Sequence, residues 1–113
     1  MGVLTAYGDH ANSFDDRARD LLGGLLQIRH ASETVEMGEK PAQAARKKKH
    51  SSIRIALDLI KNGEAPAMVS PGNSGAVLAT ALVALGRIRG VLRPAIANSF
   101  PNKHGRTVLL GDA

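Results

Sequence analysis

The chain has 113 residues, 43% of them apolar and 22% charged, which fits one small globular domain. Cysteine is absent, excluding disulfides and thiolate metal sites, and aromatics are only 3%, so a core must rest on Leu, Ile, Val and Ala. A net charge of +5 and a pI of about 10.1 favour anionic partners without choosing among nucleic acid, acidic protein, anionic lipid and phosphorylated ligand. No basic patch followed by a long apolar stretch opens the chain, so no signal peptide is expected.

In chain order, Val3-Leu4-Thr5-Ala6-Tyr7 predicts a strand closed by Gly8-Asp9. Ser13 can cap a helix over residues 14–22, with Asp15 and Asp16 in the first turn and Gly23-Gly24 at the end. A second strand is expected over residues 25–30, then a polar connection over 31–40. Pro41 can open a helix running to residue 49. Ser51 or Ser52 then caps the clearest amphipathic helix, where Ile53, Ala56, Leu57 and Ile60 share one face. Asn62-Gly63 supplies its stop.

Ala67-Met68-Val69 reads as a buried strand, followed by the turn Ser70-Pro71-Gly72-Asn73-Ser74-Gly75-Ala76. Residues 77–85 read as a buried apolar helix ended near Gly86, too short to span a bilayer. A basic loop over residues 87–94 follows. Ala95-Ile96-Ala97 can start a strand, residues 98–105 are turn-rich, and Thr107-Val108-Leu109-Leu110 predicts a last strand. Strands alternating with helices imply an α/β protein with a mainly parallel sheet covered on both faces. The outermost strands lie almost at the chain ends, so a piece of a larger domain is expected.

The turn after residue 69 is the richest stretch. A strand, a small-residue turn and a helix place backbone N–H groups at a helix N-terminus, where the dipole attracts an anion such as phosphate. Gly72 and Gly75 can take positive φ and admit a ligand close to the backbone, and Asn73 and Ser74 add donors and caps. The plainer alternative is a tight turn with an N-cap and no ligand, since neither phosphate-binding fingerprint, GxxxxGK[ST] or GxGxxG, is present. The run Arg46-Lys47-Lys48-Lys49-His50 can be a solvated helix end, a docking patch for an acidic protein or anionic substrate, or a nucleic-acid contact. Arg87, Arg89 and Arg93 form a second basic cluster; Arg89 reads as an ordinary exposed cation. His30 fits a structural role or a substrate contact, and His10, His50 and His104 lack ligand spacing, so neither a metal nor another cofactor is expected.

Several short motifs then fall in one order: His30-Ala31, Glu33-Thr34-Val35-Glu36-Met37, Pro41, Ala45-Arg46-Lys47-Lys48, Ser51-Ser52, Val69-Ser70, Gly72-Asn73-Ser74-Gly75-Ala76, Gly86-Arg87-Ile88 and Arg93-Pro94-Ala95. That succession resembles the phosphate acyltransferase (PlsX) family of bacterial phospholipid synthesis. The resemblance implies an αβα sandwich like that of isocitrate and isopropylmalate dehydrogenases. It implies transfer of an acyl group from acyl-acyl carrier protein to inorganic phosphate, giving an acyl phosphate for a downstream membrane acyltransferase. It also implies a cytoplasmic homodimer that works peripherally at the inner membrane face. Carried onto this chain, it suggests Asn73, Ser74 and Arg93 as catalytic residues. Ser70, Gly72, Gly75, Arg46, Lys47, Lys48, Ser51 and Ser52 then contact phosphate or substrate. Phosphate is its own nucleophile, so no serine need act covalently.

The chain departs from the family pattern in several places. The glycine-rich opening strand-turn is missing, with only Gly8-Asp9-His10 echoing it, and the C-terminal half is missing too. Pro71 stands where Ala is usual and His50 where an acid is common. A partial domain over residues 1–113 with weak or no activity alone is therefore expected. Two alternatives stand beside it. One is a non-catalytic basic domain binding nucleic acid, poorly served by only Tyr7, Phe14 and Phe100 for stacking. The other is a phosphate acetyltransferase acting on coenzyme A thioesters.

Overall fold

The structure, a computed structural model, describes residues 2–7 and 26–112. The helix expected over 14–22, its Ser13 cap and the Gly8-Asp9-His10 segment lie outside the described residues. β1 (Gly2–Tyr7) and β2 (Leu26–Ala31) pair in parallel, with Leu4 opposite Ile28. β3 (Ile96–Pro101) and β4 (Thr107–Asp112) form a separate antiparallel hairpin, with Ser99 opposite Leu109. Between them lie α1 (Pro41–Lys47), α2 (Ser52–Lys61) and α3 (Ser74–Ala84).

Local chemistry explains the helix ends. Pro41 opens α1 from its first position, where a missing N–H costs nothing. Ser51 caps α2 by accepting from the Arg54 amide at 3.3 Å. Gly63 follows α2 at φ +77°, and Gly86 follows α3 at φ +81°, left-handed positions that glycine takes without strain. α2 turns Ile53, Leu57 and Leu59 inward, with Ile60 half-buried. Ile53 and Leu57 meet Ala76 and Ala84 of α3, and Val35, Met68, Val77 and Ala81 pack around them. Small residues on the α3 side let the two helices approach closely.

The α/β class holds among the described residues, but the expected single, mainly parallel sheet does not form. Residues 67–69 run without a strand partner, and Val69 is 98% exposed. A strand is defined by pairing, and an apolar run alone cannot supply the neighbour. The hairpin also corrects the turn-rich reading of residues 98–105. β3 runs on to Pro101, because Asn102 Oδ1 gathers the His104 and Arg106 amides, each at 2.9 Å, and confines the turn to a few residues. α1 stops at Lys47 rather than residue 49. α3 is apolar all round but buries only Ala76, Thr80 and Ala84; Leu82 and Val83 are exposed.

Leu57 is 2% exposed at the centre of the α2–α3 contact. Leu57→Ala should cost about 2–5 kcal/mol in a denaturant titration. Val69→Ser should stay within about 0.5 kcal/mol.

Candidate functional site

The turn before α3 is built around Asn73. Its Oδ1 accepts from the Ala76 amide at 3.0 Å, capping the helix. Its Nδ2 donates toward the carbonyls of Glu36, Met37 and Glu39 at 3.3, 3.0 and 3.4 Å. The side chain is buried and engaged at both ends. Ser74, the first helical residue, is exposed, and among the described residues neither its amide nor that of Gly75 has a hydrogen-bond acceptor. Ser70 Oγ accepts from the Gly72 amide at 3.3 Å.

Gly72 and Gly75 do not take positive φ; among the described residues only Gly63, Gly86, Gly90 and Gly105 do. Gly75 is needed for a different reason. A Cβ there would stand 2.8 Å from Pro41 Cγ, so this glycine lets α3 press against the start of α1. The close approach anticipated for a ligand is made in this structure by a proline ring.

A shallow cleft of about 210 Å³ opens beside the turn, lined by Met68, Ser70, Ser74, Val77, Leu78 and Ile96. Two hydroxyls and a mostly apolar wall thus meet at the α3 N-terminus. The structure brings Ser70, Ser74, Gly72, Asn73 and Gly75 together here.

The basic run divides. Arg46 and Lys47 are exposed in the last turn of α1. Lys48 turns inward: its Nζ donates to the Thr34 carbonyl at 2.6 Å and pairs with the Glu39 carboxylate. Glu39 also accepts from the Glu36 amide at 2.9 Å. That amide, then the Lys48 ammonium, hold the Glu39 carboxyl below the usual carboxylate range. Its folded value lies below its unfolded one. The stabilisation is present above the unfolded value and is lost as pH falls through the folded one.

Ser51 is 1% exposed; its hydroxyl donates to the Lys48 carbonyl at 3.0 Å and accepts from Arg54. A hydroxyl so enclosed holds α2 in place and is shielded from a ligand in this arrangement. Ser52 is half-buried, its amide donating to the Glu33 carbonyl at 3.3 Å. Arg93 lies exposed in the connection between α3 and β3, and among the described residues no hydrogen bond or ion pair ties it to the turn. The sequence reading missed Glu36, Met37 and Glu39 as partners of the turn. They act largely through backbone carbonyls, which any residue possesses, so no side-chain pattern marks them.

The profile of a family described as fatty acid synthesis protein matches residues 7–113. The chain belongs to that family. Its relatives include a phosphate acyltransferase of Pelotomaculum thermopropionicum, 52% identical over 103 residues, which are 91% of this chain and 30% of the relative. A phosphate acyltransferase of Geotalea uraniireducens is 46% identical over 95% of this chain and 31% of its own length. One of Coxiella burnetii is 48% identical over 86% of this chain and 28% of its own. This member of the fatty acid synthesis protein family thus spans about 30% of the length of the curated relatives it matches. Among the described residues no helix is long and apolar enough to cross a membrane.

Asp and Asn are near-equal N-caps in isolation. Here Asn73→Asp should cost at least about 2 kcal/mol, because a carboxylate would face the carbonyls of Glu36, Met37 and Glu39 with no donor. Gly75→Ala should cost about 1–3 kcal/mol through the clash with Pro41. Chemical denaturation checks both.

Proposed function

We propose that this chain is the phosphate-holding part of a phosphate acyltransferase that uses acyl-acyl carrier protein as acyl donor. The observation that carries the reading is the α3 N-terminus. Among the described residues the Ser74 and Gly75 amides have no acceptor there, and Ser70 and Ser74 line an apolar-walled cleft beside them. The names of the relatives support the chemistry. In the reaction a phosphate oxygen attacks the thioester carbonyl; a carbon–oxygen bond forms, the carbon–sulfur bond breaks, and the carrier thiolate leaves and takes up a proton. The Ser74 and Gly75 amides and the α3 dipole hold the phosphate anion. The Ser70 and Ser74 hydroxyls orient it against the carbonyl. Arg93 is the cation for the developing oxyanion, with Arg46 and Lys47 drawing in anionic substrate.

Three suggested contacts take other roles in this reading. Asn73, Ser51 and Lys48 position the loop and helices, and their polar atoms are spent on the protein itself. The Gly72 amide is likewise given to Ser70.

The chain is read as a partial α/β domain. In the full-length protein the remaining part would complete an isocitrate dehydrogenase-like αβα sandwich, cover the outward faces of α3 and the hairpin, and contribute to a homodimer. Cytoplasmic placement with peripheral membrane docking fits the surface. No acidic residue occurs between Glu64 and Asp112, and exposed Ile88 and Leu92 alternate with Arg87, Arg89 and Arg93. The chain alone would turn over little or no thioester.

A phosphate titration of the isotope-labelled chain tests the reading. Saturable amide shifts centred on Ser74 and Gly75 are expected, with smaller shifts at Ser70. A folded spectrum that ignores phosphate but responds to DNA or RNA would replace it with the nucleic-acid reading.

A further inference from the structure

Lys48 lies within a run of cations, yet its ammonium faces the protein rather than solvent. It closes a chain of contacts that ends at α3. Lys48 Nζ pairs with the Glu39 carboxylate and donates to the Thr34 carbonyl. Glu39 accepts from the Glu36 amide at 2.9 Å, while its own amide donates to the Glu36 carbonyl at 3.2 Å. The loop of residues 36–39 is therefore folded on itself, and its carbonyls converge on Asn73 Nδ2. Asn73 Oδ1 in turn holds the Ala76 amide.

We propose that Glu39 and Lys48 are positioning residues: their ion pair fixes the 36–39 loop, the loop orients the Asn73 amide, and Asn73 sets where the Ser74 and Gly75 amides stand to receive phosphate. This rests on the phosphate reading above. The rival role for Lys48 is direct contact with the anion. The two roles predict opposite signs. If Lys48 were a phosphate ligand, Glu39 would compete with phosphate for it, and neutralising Glu39 would tighten binding. If the pair positions the loop, neutralising Glu39 loosens it.

The experiment uses Glu39→Gln, Lys48→Met and the double variant in the 113-residue chain. Hydrogen exchange at the Ala76 amide without ligand reports the cap. Inorganic phosphate titration reports the site. Each single variant should speed Ala76 exchange about fivefold and weaken phosphate binding by a similar factor, the loss expected for a slackened cap. The double variant should be no worse than Lys48→Met alone, because both act through one contact. Phosphate binding that is unchanged or tighter in Glu39→Gln overturns the proposal. So does unchanged Ala76 exchange in either single variant. A wild-type chain that binds no phosphate strikes the phosphate reading and with it the site this pair is said to serve. Accelerated Ala76 exchange in the variants would still distinguish that outcome from a clamp that does not exist.

Discussion

The placement of α3 depends on one side chain. Asn73 offers a carbonyl oxygen and an amide on a short stem, and the two ends face different parts of the chain. The oxygen takes the Ala76 amide, and the amide reaches carbonyls more than thirty residues earlier, in the loop just before α1. Neither a serine nor an aspartate could serve both ends, since serine is too short to span them and aspartate lacks donors. Glu39 lies only two residues ahead of Pro41, so the loop and the start of α1 move together. Gly75 against the Pro41 ring is the steric half of the same junction. A polar lock and a close approach therefore fix the angle of the α3 N-terminus.

What the sequence made legible was local. Pro41, Ser51, Asn73, Gly63 and Gly86 punctuate helices through their own geometry, and each sits where that geometry implies. The α2 stripe was readable because Ile53 and Leu57 repeat at helical spacing, although Leu59 is buried beyond it. Non-local features were not readable. Residues 67–69 carry strand composition, but pairing depends on a neighbour that composition does not specify. Arg46, Lys47 and Lys48 look alike as a charge run; only the helix end at Lys47 turns the third toward Glu39. The motif containing Ser51 suggested a ligand contact, while burial gives its hydroxyl to Lys48 and Arg54. A motif marks a position as particular without saying whether substrate or scaffold makes it so.

Burial is uneven. Among the described residues, five of the eight buried apolar ones are alanines, while Ile88, Leu92, Leu109 and Leu110 are exposed. A fully buried Leu or Ile contributes roughly 1.5–3 kcal/mol, and alanine much less. Polar stitching is correspondingly important: Glu33 joins the Ser51 region through a backbone bridge, and its carboxylate accepts from the His50 amide at 2.8 Å. α3 shows the same imbalance. Ala76, Thr80 and Ala84 face inward on successive turns, while the outward sides remain apolar. A helix apolar on every side is ordinarily one enclosed by protein.

The charges around the turn fit a division between geometry and field. Glu39 and Lys48 cancel each other, so that pair adds little net potential at the α3 N-terminus and acts chiefly through shape. In the proposed reading the local positive field is that of the helix dipole, while the exposed Arg46 and Lys47 at the far end of α1 add long-range attraction. An anion site of the proposed kind would separate two requirements. The neutral, partly buried clamp would keep the amides aimed, and solvated cations would raise the local concentration of anions. Tying Lys48 inward gives up one attracting charge but compensates the carboxylate of Glu39, the residue whose backbone carbonyl faces Asn73 Nδ2.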